Sequence, residues 1–299
     1  MVSLVSSAEA ERDGSNDYSN YQPDSLNTTD QLIQDVMNID SVFHIGDIIF
    51  KWLYLTVGPI HSIGGTYGTN CALHDCKVCL FIIGNHERDW PGTGSFYETT
   101  HSGGECGVPA ETMFYVPAEN RAKFCGKSLH LFAIGTVFYT EHDWREGSEQ
   151  HNFIEHCLAS AERQKQPWLI FAAHRVLGYS SYNWYGLEGS FEEPMGSVKN
   201  QCVNSERSHY SGIVNGTIHV VVGGGGSHLS KCSPITISWS LYRDYDFGFV
   251  KLTAFNHSSL LFEYKKSSDG KVYDSFTSSR DYKDVLASVH DGCEKTTLA

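Results

Sequence analysis

Residues 42–47 are Val-Phe-His-Ile-Gly-Asp, an apolar run that ends in a turn dipeptide and a carboxylate. Two further stretches have the same form: residues 80–87, Leu-Phe-Ile-Ile-Gly-Asn-His-Glu, and residues 168–175, Trp-Leu-Ile-Phe-Ala-Ala-His-Arg. Short apolar runs of this kind are typical of buried strands in an α/β sheet. Because ligands bind just beyond the carboxyl ends of such strands, the three runs predict a site at one sheet edge.

The residues that follow the three runs are candidate metal ligands. Asp47, Asn85 and His174 offer carboxylate, amide and imidazole donors, a set that suits Zn, Mn or Fe. Each also has an ordinary explanation, since Gly-Asp and Gly-Asn are common turn dipeptides and a His after an apolar run is more often a core residue. The same strand-then-ligand context at three places favours metal binding over three unrelated turns.

The three motifs together resemble one known family. Residues 46–50 (Gly-Asp-Ile-Ile-Phe), 84–90 (Gly-Asn-His-Glu-Arg-Asp-Trp) and 172–175 (Ala-Ala-His-Arg) are similar to the plant purple acid phosphatases of the metallophosphoesterase superfamily. The resemblance implies an α/β fold, a sandwich of two mixed β-sheets flanked by helices. It also implies an incomplete metallophosphoesterase (calcineurin-like) catalytic domain at residues 1–200 and the family's carboxyl-terminal segment at residues 201–299.

The resemblance further implies a phosphomonoesterase in which an Fe(III) and a divalent ion are bridged by one carboxylate. Carried over by motif position, Asp47 is the bridging carboxylate, and Asn85 and His174 belong to the divalent site. His86 is expected to be catalytic, by contacting phosphate or moving a proton. Asn85 is expected to contribute to substrate binding as well, since it precedes His86 in the same motif.

Several motifs of the family are missing from the chain. The iron-binding Gly-Asp-x-Gly should precede residues 10–15, yet residues 1–9 contain no Asp. The iron-binding Tyr of the second motif is replaced by Phe50. No His-x-His occurs in the chain, and only residues 197–200 occupy the interval where the family has Gly-His-x-His. We therefore expect part of the fold to be deleted, a single Zn or Mn to be held and the iron to be lost.

These residues support a metal-dependent phosphomonoester hydrolase of the acid phosphatase type, impaired by the loss of half its metal centre. One metal cannot clamp both the attacking and the leaving oxygen, so the rate should fall by orders of magnitude. Two alternatives stay open. The chain could be a non-catalytic phosphatase-like scaffold that binds phosphate or a protein, or a truncated product of an altered transcript.

Composition bears on partners and compartment. A net charge of −13 argues against a nucleic-acid partner, and no apolar run is long enough to span a bilayer. Sequons at Asn27, Asn215 and Asn256 are candidate glycosylation sites and fit the secreted or vacuolar location that the resemblance implies. Residues 1–10 lack the features of a signal peptide, which favours a cytoplasmic or truncated chain instead. Nine Cys is an odd number, so at least one is free or pairs between chains, and the sequence does not fix the oligomeric state.

Periodicity and turn residues predict the main elements of the chain. Helices are expected at residues 28–38 and 151–165, the second ended by Pro167 before the third apolar run. Residues 217–222 are predicted to form a strand, followed by a turn at four consecutive Gly. Residues 247–255 and 259–265 are predicted to form a hairpin, and the polar tail from about Ser267 is expected to be only partly ordered.

Overall fold

A computed structural model describes a little under two fifths of the chain. The described residues are 2–6, 24, 27–45, 78–82, 125–129, 132–137, 146–161, 166–173, 209–211, 218, 220–225, 229 and 242–280. They form two mixed β-sheets and two α-helices, which agrees with the predicted class of fold.

The larger sheet combines parallel strands from the amino-terminal part of the chain with an antiparallel carboxyl-terminal meander. Its strands are β1 (Val2–Ser6), β2 (Ser41–Ile45), β3 (Val78–Ile82), β7 (His209–Ser211), β8 (Gly248–Ala254), β9 (Ser259–Lys266) and β10 (Val272–Ser279). Their order across the sheet is β3-β2-β1-β8-β9-β10-β7. Strands β1, β2 and β3 are parallel, whereas β8 runs antiparallel to β1. The carboxyl ends of β2 and β3 therefore lie side by side at one end of this sheet.

The smaller sheet carries the third apolar run. It consists of β4 (Cys125–Leu129), β5 (Phe132–Val137) and β6 (Trp168–Ala173), in the order β4-β5-β6. Strand β5 is antiparallel to β4 and parallel to β6. The expectation that all three apolar runs end at one sheet edge is therefore wrong, because β6 belongs to a different sheet from β2 and β3.

The two sheets pack face to face through one apolar cluster. Trp168 of β6 packs with Phe43 of β2, Val250 and Leu252 of β8 and Phe262 of β9. All five side chains are at most 7% exposed, so this inter-sheet core excludes water and contributes about 1.5–3 kcal/mol for each large side chain.

A helix covers the opposite face of the larger sheet. Helix α1 (Asn27–Asp35) continues as a 3-10 turn at Val36–Asn38 before β2 begins. Its apolar side is buried against Val42 and Phe249, which alternate along β2 and β8 with the residues of the inter-sheet core. Helix α1, the larger sheet and the smaller sheet thus form three layers.

The second helix is shorter than its sequence predicts. Helix α2 (Glu149–Ala159) begins where the Ser148 side chain accepts a hydrogen bond from the His151 backbone. It is followed by Ser160, whose backbone N–H donates to the His156 carbonyl and whose hydroxyl donates to the Cys157 carbonyl. The predicted extension as far as residue 165 is therefore wrong at Ser160 and Ala161, and residues 162–165 lie outside the described part.

The carboxyl-terminal strands test three further predictions. The hairpin is confirmed, since β8 and β9 pair antiparallel from Gly248↔Lys266 to Ala254↔Leu260. The predicted strand at residues 217–222 is wrong at the described positions 218 and 220–222, which have no regular structure. The polar tail is more regular than expected, because β10 pairs along β9 and Phe276 stacks on Phe262 with ring centroids 4.5 Å apart.

Candidate functional site

The candidate ligands follow strands whose ends are described. Strand β2 ends at Ile45, two residues before Asp47, and β6 ends at Ala173, directly before His174. Strand β3 ends at Ile82, three residues before Asn85. Asp47, Asn85, His86 and His174 themselves lie outside the described residues, so the predicted ligand set stays a prediction.

The orientation of β6 relative to β2 follows from two hydrogen bonds at its beginning. The Trp168 indole N–H donates to the Asn256 carbonyl at 3.1 Å, and the Arg280 guanidinium donates to the Pro167 carbonyl at 2.7 Å. Asn256 lies in the turn between β8 and β9, and antiparallel pairing places that turn at the amino end of β1. The amino end of β6 therefore lies with the amino ends of the parallel strands.

The carboxyl ends of β2, β3 and β6 consequently lie at the opposite end of the sandwich. With the beginning of β6 fixed at one end, and Trp168 packed on Phe43, the chain of β6 runs toward the carboxyl ends of β2 and β3. Asp47 and Asn85 thus follow strands of one sheet, and His174 follows a strand of the facing sheet. The strands that precede the candidate ligands therefore belong to two facing sheets rather than to one sheet.

An ion cluster that the sequence did not reveal lies at this same end of the larger sheet. Lys266 at the end of β9 forms ion pairs with Asp244 at 3.0 Å and Asp246 at 3.2 Å, just before β8 begins. The ammonium also lies 4.4 Å from the ring centroid of Tyr273. The sequence indicates this cluster only through Asp-Tyr-Asp at residues 244–246, and it does not show which lysine pairs with the two carboxylates.

The cluster controls the ionisation of its own members. Burial and the hydrogen bond that Tyr242 donates to Asp244 raise the pKa of Tyr242 to about 12. Burial opposes ionisation of Asp244, but hydrogen bonds from Lys266 and Tyr242 outweigh it and lower the pKa of that carboxyl. Hydrogen bonds to Asp244 and Asp246 raise the pKa of Lys266. Lys266 is therefore charged at neutral pH, and its charge is balanced by the carboxylates of Asp244 and Asp246.

The glycine run is explained by close packing of backbones. A Cβ on Gly224 would lie 2.8 Å from the Asp246 carbonyl oxygen and 3.0 Å from the Gly248 nitrogen. The Gly248 N–H donates to the Gly224 carbonyl at 2.9 Å, and Gly224 and Gly225 form the predicted turn. This accounts for Gly224 without a phosphate ligand.

A second charged cluster lies on the α1 side of the sheet, away from the candidate site. Asp35 forms ion pairs with Lys251 at 2.6 Å and Lys265 at 3.2 Å. Burial opposes ionisation of Asp35, but hydrogen bonds from Lys251, Asn38 and Lys265 outweigh it and lower the pKa of the carboxyl. Its role is to hold α1 on the sheet. Among the residues that the structure describes, no group of three His, Cys, Asp or Glu could hold a metal ion.

Known proteins identify the family. The family model described as iron/zinc purple acid phosphatase-like protein C matches residues 216–275. A nucleotide pyrophosphatase/phosphodiesterase of Hordeum vulgare is 53% identical over 331 residues, covering 97% of this chain and 86% of the barley protein. The chain belongs to the purple acid phosphatase family. The predicted resemblance is confirmed.

Other purple acid phosphatases match the fold and the sequence together. The structure of purple acid phosphatase PPD1 from yellow lupin, Lupinus luteus, has a TM-score of 0.80 and 52% identity, covering 100% of this chain and 57% of that one. Probable inactive purple acid phosphatase 24 of Arabidopsis thaliana is 56% identical over 325 residues, covering 97% of this chain and 51% of the relative. The chain thus spans about half the length of this relative.

The alignments also bear on the expected deletion. They extend over 325 and 331 positions, which is more than the 299 residues of the chain itself. The relatives therefore carry residues inside the aligned span that this chain lacks. An internal loss agrees with the absence of the Gly-His-x-His motif.

Proposed function

We propose that this purple acid phosphatase homologue is a metal-dependent phosphomonoester hydrolase with a single, impaired metal site at Asp47, Asn85 and His174. The observation that carries the proposal is the gathering of the carboxyl ends of β2, β3 and β6 at one end of the sandwich. Three ligand-bearing motifs follow these three strands in the sequence. Converging strand ends are where α/β folds build ligand sites.

The alternation of side chains along the strands supports this placement. Phe43 of β2 is in the inter-sheet core and Ile45 packs against it, so position 47 would follow in the same row if the alternation continued past the end of the strand. Trp168 and Ile170 of β6 face the larger sheet in the same way, and position 174 would follow in that row on the same condition. Asp47 and His174 would therefore extend toward each other from opposite sheets.

The donor set fits one divalent ion. A carboxylate, an amide oxygen and an imidazole suit Zn or Mn, and three protein ligands are usual for a catalytic metal. Such an ion supplies Lewis-acid polarisation of a phosphoryl oxygen when it is bound. His86 would contact the phosphate or carry a proton to the leaving group, and Asn85 would help to orient the substrate. The iron of the family would not be retained, because Phe50 has no donor atom.

Two alternatives have observations in their favour. Relatives named probable inactive purple acid phosphatases 24, 27 and 1 favour a scaffold that binds phosphate or a protein without turnover. The internal loss of residues favours a truncated product of an altered transcript. If turnover occurs, the name of the barley relative makes nucleotide phosphodiesters and pyrophosphates a second substrate class beside phosphomonoesters.

The location that we propose is secreted or vacuolar. Cys157 is buried and disulfide-bonded, and disulfides persist mainly in oxidising compartments. The glycosylation sequons fit the same route. Within the described ranges, no helix is sufficiently long and apolar to span a membrane. The division into a catalytic domain at residues 1–200 and a carboxyl-terminal segment at 201–299 remains part of the proposal, and both segments contribute strands to the larger sheet.

Hydrolysis of an aryl phosphate at mildly acidic pH tests the proposed function. The protein is loaded with Zn, Mn or Fe and compared with Asp47→Ala and His86→Ala variants, and metal binding is measured separately by calorimetry. Turnover that needs Zn or Mn and disappears in both variants supports the hydrolase. Binding of Zn or Mn that needs Asp47, without turnover, leaves the phosphate-binding scaffold. Neither binding nor turnover in a folded protein overturns the proposed metal site.

A further inference from the structure

Three tyrosine rings are exposed at the end of the larger sheet where β2 and β3 finish. Tyr242 and Tyr245 precede β8, Tyr273 is the second residue of β10, and each of the three is 42–47% exposed. We propose that these rings, the tyrosine patch, bind the planar aromatic part of the leaving group of a phosphate ester, either a nucleobase or an aryl ring. The proposal rests on the proposed function, because it names the substrate class of that site.

One carboxylate holds the tyrosine patch together. Asp244 accepts hydrogen bonds from the Tyr242 hydroxyl and from the Tyr245 backbone N–H, both at 2.8 Å. The same carboxylate pairs with Lys266 at 3.0 Å, and the Lys266 ammonium lies 4.4 Å from the centroid of the Tyr273 ring. All three rings are therefore connected, directly or through Lys266, to Asp244.

The hydroxyl groups of the other two rings are also bonded. The Tyr245 hydroxyl donates to the Leu229 carbonyl at 3.3 Å, and the Tyr273 hydroxyl donates to the Asp269 carboxylate at 3.1 Å. Rings that are already held in place lose little conformational freedom when a planar ligand stacks on them. The tyrosine patch is thus preorganised, and its exposed aromatic surface is what it offers to a ligand.

The tyrosine patch lies close to the proposed metal site. The Tyr242 ring packs on Tyr264 with centroids 5.9 Å apart, and Tyr264 packs against the inter-sheet core, as Ile45 near the end of β2 does. Only β1 separates β2 from β8, so the end of β2 and the beginning of β8 are two strand spacings, about 10 Å, apart. This separation is of the size of one nucleoside. A phosphate held near Asp47 and a ring held at Tyr242 can therefore belong to one molecule.

The charge of the tyrosine patch favours a neutral aromatic group over a phosphate group. The carboxylates of Asp244 and Asp246 share the ammonium of Lys266, which leaves an excess of one negative charge. This excess repels an anionic phosphate group, whereas it does not repel an uncharged nucleobase or aryl ring. The tyrosine patch therefore fits the leaving group of the substrate and leaves the phosphate to the proposed metal ligands.

Saturation-transfer NMR with adenosine tests the tyrosine patch without the metal site. Adenosine has no phosphate, so we expect transfer to its adenine protons in the parent and equally in Asp47→Ala. Tyr242→Leu keeps an apolar side chain but removes the ring, and it should weaken adenosine binding about 5- to 150-fold, the range that stacking on one aromatic side chain provides. Tyr242→Phe keeps the ring and should retain binding. The control is Phe255→Leu, which removes an exposed ring from the opposite end of the sandwich and should change nothing.

Turnover by the metal-loaded chain adds a comparison of substrates. The kcat/KM of parent and Tyr242→Leu is measured for AMP, phenyl phosphate and ribose 5-phosphate, so that each ester serves as its own reference. Tyr242→Leu should lower kcat/KM for AMP about 5- to 150-fold and leave ribose 5-phosphate, which has no aromatic ring, unchanged. An equal loss for phenyl phosphate assigns the tyrosine patch to any planar ring, and a loss for AMP alone assigns it to nucleobases.

Three results would overturn the tyrosine patch. They are a folded parent that shows no transfer to adenosine, undiminished adenosine binding in Tyr242→Leu, and an equal loss of kcat/KM for AMP and ribose 5-phosphate in that variant. The proposed hydrolase fails in a different way. Adenosine binding by a chain that hydrolyses none of the three esters refutes the hydrolase and supports the tyrosine patch as a nucleoside-binding surface.

Discussion

Trp168 is a buried contact between the smaller sheet and the larger one, and its removal should disturb stability and metal binding together. The side chain is 7% exposed, and its indole N–H donates to Asn256. Truncating a buried Trp to Ala lowers the free energy of unfolding by about 3–5 kcal/mol, and the loss of a hydrogen bond lowers it by about 1 kcal/mol. We expect Trp168→Ala to lose about 4–5 kcal/mol of unfolding free energy. Trp168→Phe, which keeps a ring but lacks the donor, should lose about 1–2 kcal/mol.

The effect on metal binding separates this contact from ordinary destabilisation. If His174 approaches Asp47 only because β6 is held against β2, both Trp168 variants should bind Zn or Mn more weakly than the parent. Leu32→Ala is the matched control, since Leu32 is 2% exposed in the core on the opposite face of the same sheet. It should cost about 2–5 kcal/mol of stability and leave the metal affinity of the folded protein unchanged.

The assay combines urea unfolding, followed by circular dichroism, with metal titration calorimetry under conditions in which each variant is folded. A graded loss of affinity, from parent to Trp168→Phe to Trp168→Ala, supports the inter-sheet site. An unchanged affinity in folded Trp168→Phe, or an equal loss in Leu32→Ala, would refute the reasoning. The first result would mean that the ligands are positioned independently of the sheet contact. The second would mean that the titration reports only global stability.

Three further perturbations have directions that the structure fixes. Asp35→Asn should cost about 1.5–3 kcal/mol at neutral pH by leaving Lys251 unpaired. Because the native pKa of Asp35 is lowered, this contribution is complete above the ordinary aspartate pKa of 3.8 and disappears as the pH falls through the native pKa. Urea midpoints of parent and variant that fail to converge in acid would contradict it. Ultraviolet titration should show a tyrosine with a pKa of about 12 that is absent from Tyr242→Phe. Gly270→Ala should cost about 1–2 kcal/mol, since Gly270 has a φ of 67° and a Cβ there meets the Gln31 amide. Adding Gln31→Ala should recover the steric part, and no recovery would point to backbone conformation alone.

The three strands that precede the candidate ligands could be predicted because each is a short apolar run that is followed by a turn or a polar residue. Strands β2, β3 and β6 lie where those runs predict them. What the runs could not reveal is the partner of each strand, because a fully apolar strand has no polar face to indicate its neighbours. The structure separates β6 from β2 and β3, and the pairing of β6 with β5 decides this. The strands before the candidate ligands therefore belong to two sheets, which the sequence did not predict.

Strand propensity predicted one strand that does not form and missed another that does, because pairing with neighbouring strands decided both outcomes. Residues 218 and 220–222 are Ile and Val, yet they form no strand, and the side chains of Ile218, Val220 and Val221 are exposed. Strand β10 is polar and rich in Ser, yet it forms because it pairs antiparallel with β9 along most of its length, with one register shift between Val272 and Asp274. Preference for β structure depends on packing against cross-strand neighbours more than on the backbone of the residue itself. Strand β1 (Val2–Ser6) likewise forms because it pairs with β2 on one side and with β8 on the other.

The described core explains how a purple acid phosphatase site can be damaged while the fold persists. The buried residues of the inter-sheet core and of the α1 core are strand and helix residues other than the candidate ligands, and the Asp35 and Lys266 clusters join elements without using those ligands. Stability and catalysis then respond to different residues. A chain of this kind can lose turnover and still retain a phosphate-binding surface, which makes the scaffold the natural outcome if metal binds without hydrolysis.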